Sequence, residues 1–512
     1  LISLAAPRLR EETNMRRPPG QRLRAARRLL LELAFVFATL TLLGATALAS
    51  STPTPAERVQ QKQQDAISTP SSSGESESGG WSLWKDGVKN SEWGGHLKLK
   101  GFLAWPEDNS FLKGSSLNPL FDGTAELRLK DKNQWTNWLY TDVQYQLVLA
   151  GGDTRRRMRR AEWYTPDLYS CSTPIPTSDR RRLMNLTWPI TKNDSLILYN
   201  RFDRVAATIV GDNAMLRIGR QGLGWGQGRL FNVFDLFNPF SPLDVERNYK
   251  VGDDIAYLQS TIDGVGELEL AYNPRRDIDT REVEFDQSTL AGKFRLEADG
   301  ANLNVLAATH YGDKVVGLGL GKKTRPDLPF DMRASAQGLL WNIEATWTFL
   351  DHPSSPHNPL SENSLDSYVS VVANLGYEWI GWNRPFKAYA EFYYNGLCNS
   401  HYGAELIEPV IQNRLNRGDL YTLGKYYISG TIESEVVQGV RIALTSLNNA
   451  EDGSGMLQPR VTWTPDQHVE LVLGTNISHG DSDTEFGGYR LKATNIYDKK
   501  PDSVYCWLTY RF

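Results

Sequence analysis

The chain has 512 residues, 23% charged and 40% hydrophobic, with 15 Trp, 22 Tyr and 18 Phe. Its formal net charge is −4, but eight of the 56 basic and three of the 60 acidic residues fall in 1–49, so residues 50–512 carry −9 and offer no uniformly basic surface to nucleic acid. Cys171, Cys398 and Cys506 lie far apart, with no C-x-x-C and no zinc-type His spacing, so neither a metal site nor a cofactor is expected; the spacing assigns no disulfide.

The first methionine is Met15, and residues 1–14 are read as an upstream non-native segment. From Met15 a basic stretch, "MRRPPGQRLRAARR", precedes the apolar "LLLELAFVFATLTLLGATALA", which ends on Ala47-Leu48-Ala49. Basic start, apolar middle and small-residue cut predict a secretory signal over 15–49. Residues 50–93 open with "SSTPTPAERVQQKQQDAISTPSSSGESESGG", too poor in apolar residues for a core, and predict a flexible periplasmic arm. No later run of about eighteen apolar residues predicts a membrane-spanning helix.

From residue 94 the hydrophobic period is two. In "HLKLKGFLAW", Leu97, Leu99, Leu103 and Trp105 share one face, with His96, Lys98 and Lys100 on the other. "TAELRLKDK" alternates Ala125, Leu127 and Leu129 with Glu126, Arg128 and Lys130. "WTNWLYTDVQYQLVLA" sets Leu139, Val143, Tyr145, Leu147 and Leu149 against Asp142, Gln144 and Gln146. Charges at every second position suit a watered lumen and would be costly in a dry sandwich core. Hairpin signals follow at Gly211–Asn213, Asp263-Gly264, Asp299-Gly300 and Gly312-Asp313. The pattern predicts an all-β, transmembrane, antiparallel up-and-down barrel over 94–512, with about 16–18 strands, long extracellular loops and short periplasmic turns.

One long connection, "GGDTRRRMRRAEWYTPDLYSCSTPIPTSDRRR", is basic through Arg155, Arg156, Arg157, Arg159 and Arg160. A basic surface loop suits the anionic lipopolysaccharide of an outer leaflet. No G-x-S-x-G or H-E-x-x-H occurs, and the seven histidines show no catalytic spacing, so no enzyme is expected. Asp203 and Arg204 read as a lumen charge pair.

Residues 217–242, "RIGRQGLGWGQGRLFNVFDLFNPFSP", place glycines at 222, 224, 226 and 228. A phosphate-binding loop needs other spacing and a following helix, which Pro239 and Pro242 oppose. Strict alternation would turn Arg220 toward lipid, so Arg220 sits at the rim or a bulge shifts the register. The loop 220–253 is expected in the lumen or on the rim. Its pore-lining or constriction candidates are Arg217, Arg220, Arg229, Asp235, Asn238, Arg247, Lys250 and Asp254.

This stretch resembles the strand–loop–strand of a broad group of proteobacterial outer-membrane barrels, in which G-R-Q leads to W-G-x-G-R, then N-x-x-D-L-F-N-P, an acidic-basic pair and G-x-D. Gly219, Arg220, Gln221, Trp225, Gly226, Gly228, Arg229, Asn232, Asp235, Leu236, Phe237, Asn238 and Pro239 match, as do Glu246, Arg247, Gly252 and Asp254. More loosely, the chain is similar to alginate-export barrels and monomeric porins. That likeness implies passive passage of a small hydrophilic or anionic solute through a bacterial outer membrane; a barrel enzyme and a plugged structural or assembly barrel are the alternatives. The terminal "SVYCWLTYRF" puts Phe512, Tyr510 and Leu508 on one face and resembles the outer-membrane assembly signal. Expected partners are outer-membrane lipids, lipopolysaccharide, the barrel assembly machinery and the solute.

Overall fold

Charged and apolar side chains alternate along strand after strand, and the fold sorts them to opposite faces of one closed sheet. The computed structural model describes residues 91–512 apart from 108–109, 111–118, 163–178, 248, 263–264, 325–335, 352–364, 399–408 and 491–496. The expected signal, most of the expected arm, the Asp263-Gly264 turn and Cys171 therefore lie outside the described residues.

The strands are β1 Ser91–Trp105, β2 Leu120–Gln134, β3 Leu139–Gly152, β4 Thr187–Lys192, β5 Leu196–Val210, β6 Ala214–Gln221 and β7 Asp253–Ile262. Next come β8 Gly266–Arg276, β9 Val283–Ala298, β10 Ala301–His310, β11 Asp313–Thr324, β12 Ala336–Phe349, β13 Ser367–Gly381 and β14 Arg384–Asn395. The rest are β15 Tyr426–Val437, β16 Val440–Asn449, β17 Gly455–Trp463, β18 Val469–His479, β19 Tyr489–Arg490, β20 Tyr497–Asp498 and β21 Asp502–Arg511. Among the described residues two helices sit in long connections, α1 Asp153–Glu162 and α2 Pro409–Arg417. The first falls on the basic stretch read as a loop.

All strand pairings are antiparallel, and β21 pairs with β18 on one edge and β1 on the other. The ring closes with 18 staves, the upper of the two expected numbers. Closure reaches the last residue: Gly95 N–H donates to the Phe512 carbonyl at 2.9 Å and Phe512 N–H to the Gly95 carbonyl at 3.1 Å. A closed ring leaves no open edge for foreign strands.

Side chains follow the alternation. Leu99, Ile218, Leu318, Ile343, Ile428 and Ile442 are exposed on the outer wall, whereas Lys98, Arg128, Gln146, Glu344 and Glu391 are buried on the inner wall. Exposed Trp93, Trp135, Trp138, Trp382 and Tyr510 ring the end carrying the short turns; Trp105, Trp188, Trp347 and Phe349 ring the other. An apolar belt between two aromatic girdles is the outer surface a bilayer favours. Two-residue turns close hairpins at the short-turn end, and one, Tyr311-Gly312 (φ 50° and 84°), closes a hairpin at the other. Asp299 and Gly300 (φ 50° and 70°), and Trp382 and Asn383 (φ 49° and 59°), take the paired left-handed conformations that match strand twist.

Strand β6 is only eight residues long and leaves the wall at Gln221. Its place higher in the wall is taken by β4, which pairs with the start of β5, and by an isolated bridge from Arg182 to Arg275 of β8. The chain that would have continued β6 turns inward.

Candidate solute path

Residues 222–252 form the inward loop, and glycine lets it turn. A Cβ on Gly226 (φ 92°) would lie 1.8 Å from the Asn232 side-chain oxygen, and one on Gly228 only 1.7 Å from the Phe231 carbonyl. The glycines thus serve close backbone approach. Asn232 Nδ2 then ties the fold-back to the Trp225 carbonyl at 2.6 Å.

Lone carboxylates of the inner wall hold the loop. Glu269 (β8) accepts Trp225 Nε1 at 2.6 Å and the Tyr257 hydroxyl at 2.8 Å, and pairs with Lys293 at 2.6 Å. Glu344 (β12) accepts Gln227 N–H at 3.1 Å, and Asn374 (β13) donates to the Gln227 carbonyl at 3.0 Å. Glu391 (β14) accepts three consecutive backbone N–H groups, from Arg229, Leu230 and Phe231, at 2.6, 3.0 and 2.9 Å. Farther along, Gln458 and Arg460 (β17) donate to the carbonyls of Leu243 and Val245. Glu246 sits between Lys98 and Lys100 of β1. Tyr249 lies under Arg128 and Lys130 of β2, and Arg204 of β5 reaches the Lys250 carbonyl. The loop therefore bonds to walls all around the lumen.

Apolar contacts fill the spaces between these anchors. Trp225, Phe234 and Phe237 pack on Ile255, Tyr257, Ala271, Ala291, Leu306 and Val315. On the other side Phe231 stacks on Tyr393, centroids 4.2 Å apart, beside Tyr427.

The sequence-derived candidates separate into groups. Arg217 faces inward and donates to Thr208 Oγ1 at 2.9 Å. Asp235 and Lys250 form a pair at 2.6 Å inside the loop. Burial raises the Asp235 carboxyl and lowers the Lys250 ammonium, so desolvation outweighs their attraction in both. Asn238 (φ 52°) donates to Asp253 at 3.2 Å. The Arg229 guanidinium lies 3.2 Å above the Tyr389 ring. Arg247 binds the carbonyls of Arg229, Ser241 and Asp244, and burial lowers its pKa to about 10 despite nearby Asp244. Burial opposes the Glu246 carboxylate, yet Lys100 and Lys98 outweigh it and hold the group below the usual range.

Arg220 and Asp254 stand elsewhere. They pair across β6 and β7 on the strand faces that carry Ile218 and Ala256, opposite the faces carrying Tyr257 and Ile255. Arg220 bonds Asp254 at 2.8 and 3.0 Å, Asp179 at 3.1 Å and the Met184 carbonyl at 2.6 Å, and Met184 N–H binds Asp254. The register of β6 on β7 runs without a bulge, and Arg220 is the next-to-last residue of that short strand. Residues 179–187 cover the pair, and geometry sets both residues beside the lumen instead of in it.

Sequence reading missed Glu269, Glu344 and Glu391 as anchors. For Glu344 the available signal was a single acid in an otherwise uncharged strand, "LLWNIEATW"; Glu391 shares its strand face with Lys387 and Glu269 with Glu267, so neither stood out. Asp203 does pair with Arg204 at 2.8 Å, and also with Arg128 at 3.0 Å. His310 contacts Thr289 Oγ1 at 2.8 Å and Asp419 at 3.3 Å, but Thr289 is wholly buried and its hydroxyl closed to a substrate. Among the described residues no three His, Cys, Asp or Glu are grouped to hold a metal.

Two cavities flank the loop. The inner one, about 140 Å³ on the short-turn side, is lined by Arg217, Tyr257, Glu269, Lys293, Asn304 and Glu344. The outer one, about 120 Å³ on the long-loop side, is lined by Phe231, Val233, Val315, Thr346, Tyr393 and Tyr421, among others. Both carry charge: the inner through Arg217, Glu269, Lys293 and Glu344, the outer through Asp235, Asp313, Arg414 and Asp419 beside its aromatic rings and hydroxyls.

No family model and no curated protein matches the sequence. Among solved structures, the chain is similar to OccAB2 of Acinetobacter baumannii (11% identity, 83% of this chain and 98% of that one, TM-score 0.47). It is also similar to a BenF-like porin of Pseudomonas fluorescens Pf-5 (11%, 83% and 99%, TM-score 0.48) and to OpdQ of Pseudomonas aeruginosa (11%, 83% and 99%, TM-score 0.44). At such identity the likeness is one of barrel shape.

Proposed function

We propose that the protein is an outer-membrane channel for passive diffusion or export of small hydrophilic or anionic solutes. The observation that carries this reading is a closed barrel, apolar outside and charged inside, whose in-turned loop leaves a cavity on each face. Lys98, Lys100, Arg128, Lys130, Lys132, Arg201, Arg204 and Arg460 outnumber Glu92, Asp122, Glu126, Asp142, Asp203 and Glu246 on the wall of β1, β2, β3, β5 and β17 and the loop facing it, which favours anions. The motif resemblance of residues 216–254 adds weight. The basic α1 face suits lipopolysaccharide, and Phe512, Tyr510 and Leu508 suit recognition by the assembly machinery.

Single-channel recording of refolded protein in planar bilayers tests the reading. Stepwise currents with anion preference are expected, weaker in the Arg229→Ala/Arg247→Ala double variant. Absence of conductance from the wild type and from every loop variant sinks the channel; unchanged selectivity in the double variant sinks the role of those arginines. A plugged, structural barrel is the second reading, favoured by the apolar packing of Phe231 and Phe234 on the wall, and a silent bilayer would support it.

A further inference from the structure

Strand β11 reads "VVGLGLG" over 315–321. Its outer positions are Val316, Leu318 and Leu320, and its inner positions Gly317, Gly319 and Gly321. Without side chains there, neighbours lie flat on the wall. A Cβ on Gly317 would be 2.8 Å from Phe234 Cε1 and 3.1 Å from Leu306 Cβ, so the Phe234 ring occupies the notch this glycine leaves.

That notch lies between the two cavities. On β12, Glu344 borders the inner cavity and Thr346, the next inward residue, the outer. On β10, Asn304 borders the inner and His310 the outer, with fully buried Leu306 between. On the loop, Phe234 borders the inner cavity while Val233 and Asp235 border the outer. Along this wall the Phe234 ring and the Leu306 side chain separate the two cavities.

We propose that Phe234, seated on Gly317, is the seal between the two chambers, and that solute passes along the β10–β12 wall when the ring leaves its notch. This rests on the channel reading. The loop's hydrogen-bonded anchors, Trp225, Gln227 and residues 229–231, lie outside the 233–235 stretch, so the ring can be removed with the loop still tied. An added wall methyl at Gly317 would meet the ring at 2.8 Å, so the ring must shift from its notch, and the path there should widen although bulk is added.

The test is single-channel conductance of wild type, Phe234→Ala, Phe234→Leu and Gly317→Ala in planar bilayers. Removal of a constriction predicts a rise of roughly twofold or more for Phe234→Ala and Gly317→Ala, and near-wild-type current for Phe234→Leu. Gly317→Ala placed on Phe234→Ala should lower the current, because no ring remains to evict. Phe234→Cys, treated with a water-soluble thiol reagent against the identically treated parent chain, should lose its added current. Silent wild type with conducting Phe234→Ala supports the seal and overturns an open resting channel. Equal currents in wild type and Phe234→Ala, with no reagent effect on Phe234→Cys, overturn the seal and leave the channel standing. No current from either chain overturns the seal as well.

Discussion

Replacing Glu391 removes one of the loop's anchors on the barrel wall. Its carboxylate accepts three backbone N–H groups, at 2.6, 3.0 and 2.9 Å, and Glu391→Ala strands all three in a buried setting. Each unsatisfied buried donor costs about 1–3 kcal/mol, for a ceiling of ~9 kcal/mol. Water entry into the vacated space and partial relaxation lower this, and a loosening of about 3–4 kcal/mol is expected. That converts to roughly 10²–10³-fold in the opening equilibrium, since 1.4 kcal/mol is about tenfold. Glu391→Gln keeps one carbonyl acceptor but loses the charge, and should cost about half as much. Hydrogen exchange at residues 229–231, read by mass spectrometry on refolded protein, measures the effect directly. Strand amides should keep their protection, because the ladder of β14 does not depend on this side chain. If protection at 229–231 stays within about threefold of wild type in Glu391→Ala, the anchor reasoning is refuted and the other wall contacts hold the loop alone.

Further outcomes can be stated briefly. Arg220→Met or Asp254→Leu alone should destabilise by about 3–5 kcal/mol, seen in thermal unfolding, and the double variant should recover only part of the loss, because Asp179 and both backbone groups of Met184 also lose a partner. The same cycle on Asp235 and Lys250 should leave Asp235→Leu/Lys250→Met near wild-type stability, since burial outweighs attraction in both groups; a double variant as poor as the worse single would contradict this. Glu246 is held below the ordinary carboxylate range, so its tie to Lys98 and Lys100 is complete above the unfolded value of ~4.3 and is lost as pH falls through the lower folded value. Exchange at residues 245–250 should rise on acidification to about pH 3, and Glu246→Gln should remove that dependence. Gly95→Val should block closure, because a Cβ there would lie 2.2 Å from the Arg128 carbonyl and 2.9 Å from the Phe512 ring; assembly into heat-modifiable barrels is the readout.

Most of the barrel was legible because lipid and water impose period two on every stave. Leu97, Leu99 and Leu103 against His96 and Lys98 needs no tertiary knowledge, and neither does the face shared by Leu508, Tyr510 and Phe512. The inward loop was legible as a departure from that period, with its end at Asp253. What period two cannot carry is partnership across the lumen. Glu391 meets Arg229 from 162 positions away, and its strand reads the same whether it caps a loop or faces water. Arg220 shows the limit from the other side. Parity turned it outward correctly, but its shelter comes from Asp179 and Met184, in a segment whose composition reads as loop. The Asp235–Lys250 pair had the residue types of a constriction, and the fold spends them on each other.

The loop's ties to β8, β12, β13, β14, β17, β1, β2 and β5 have a mechanical meaning. An empty barrel is an unbraced hoop that ovalises under sideways load at the cost of bending alone. Here the chain crosses the hoop and is fastened at points around its rim, so flattening along one diameter must stretch hydrogen bonds along another. Lateral pressure from the bilayer is then shared by the whole ring, and the width of the passage beside Phe234 is set by the protein and not by the lipid around it.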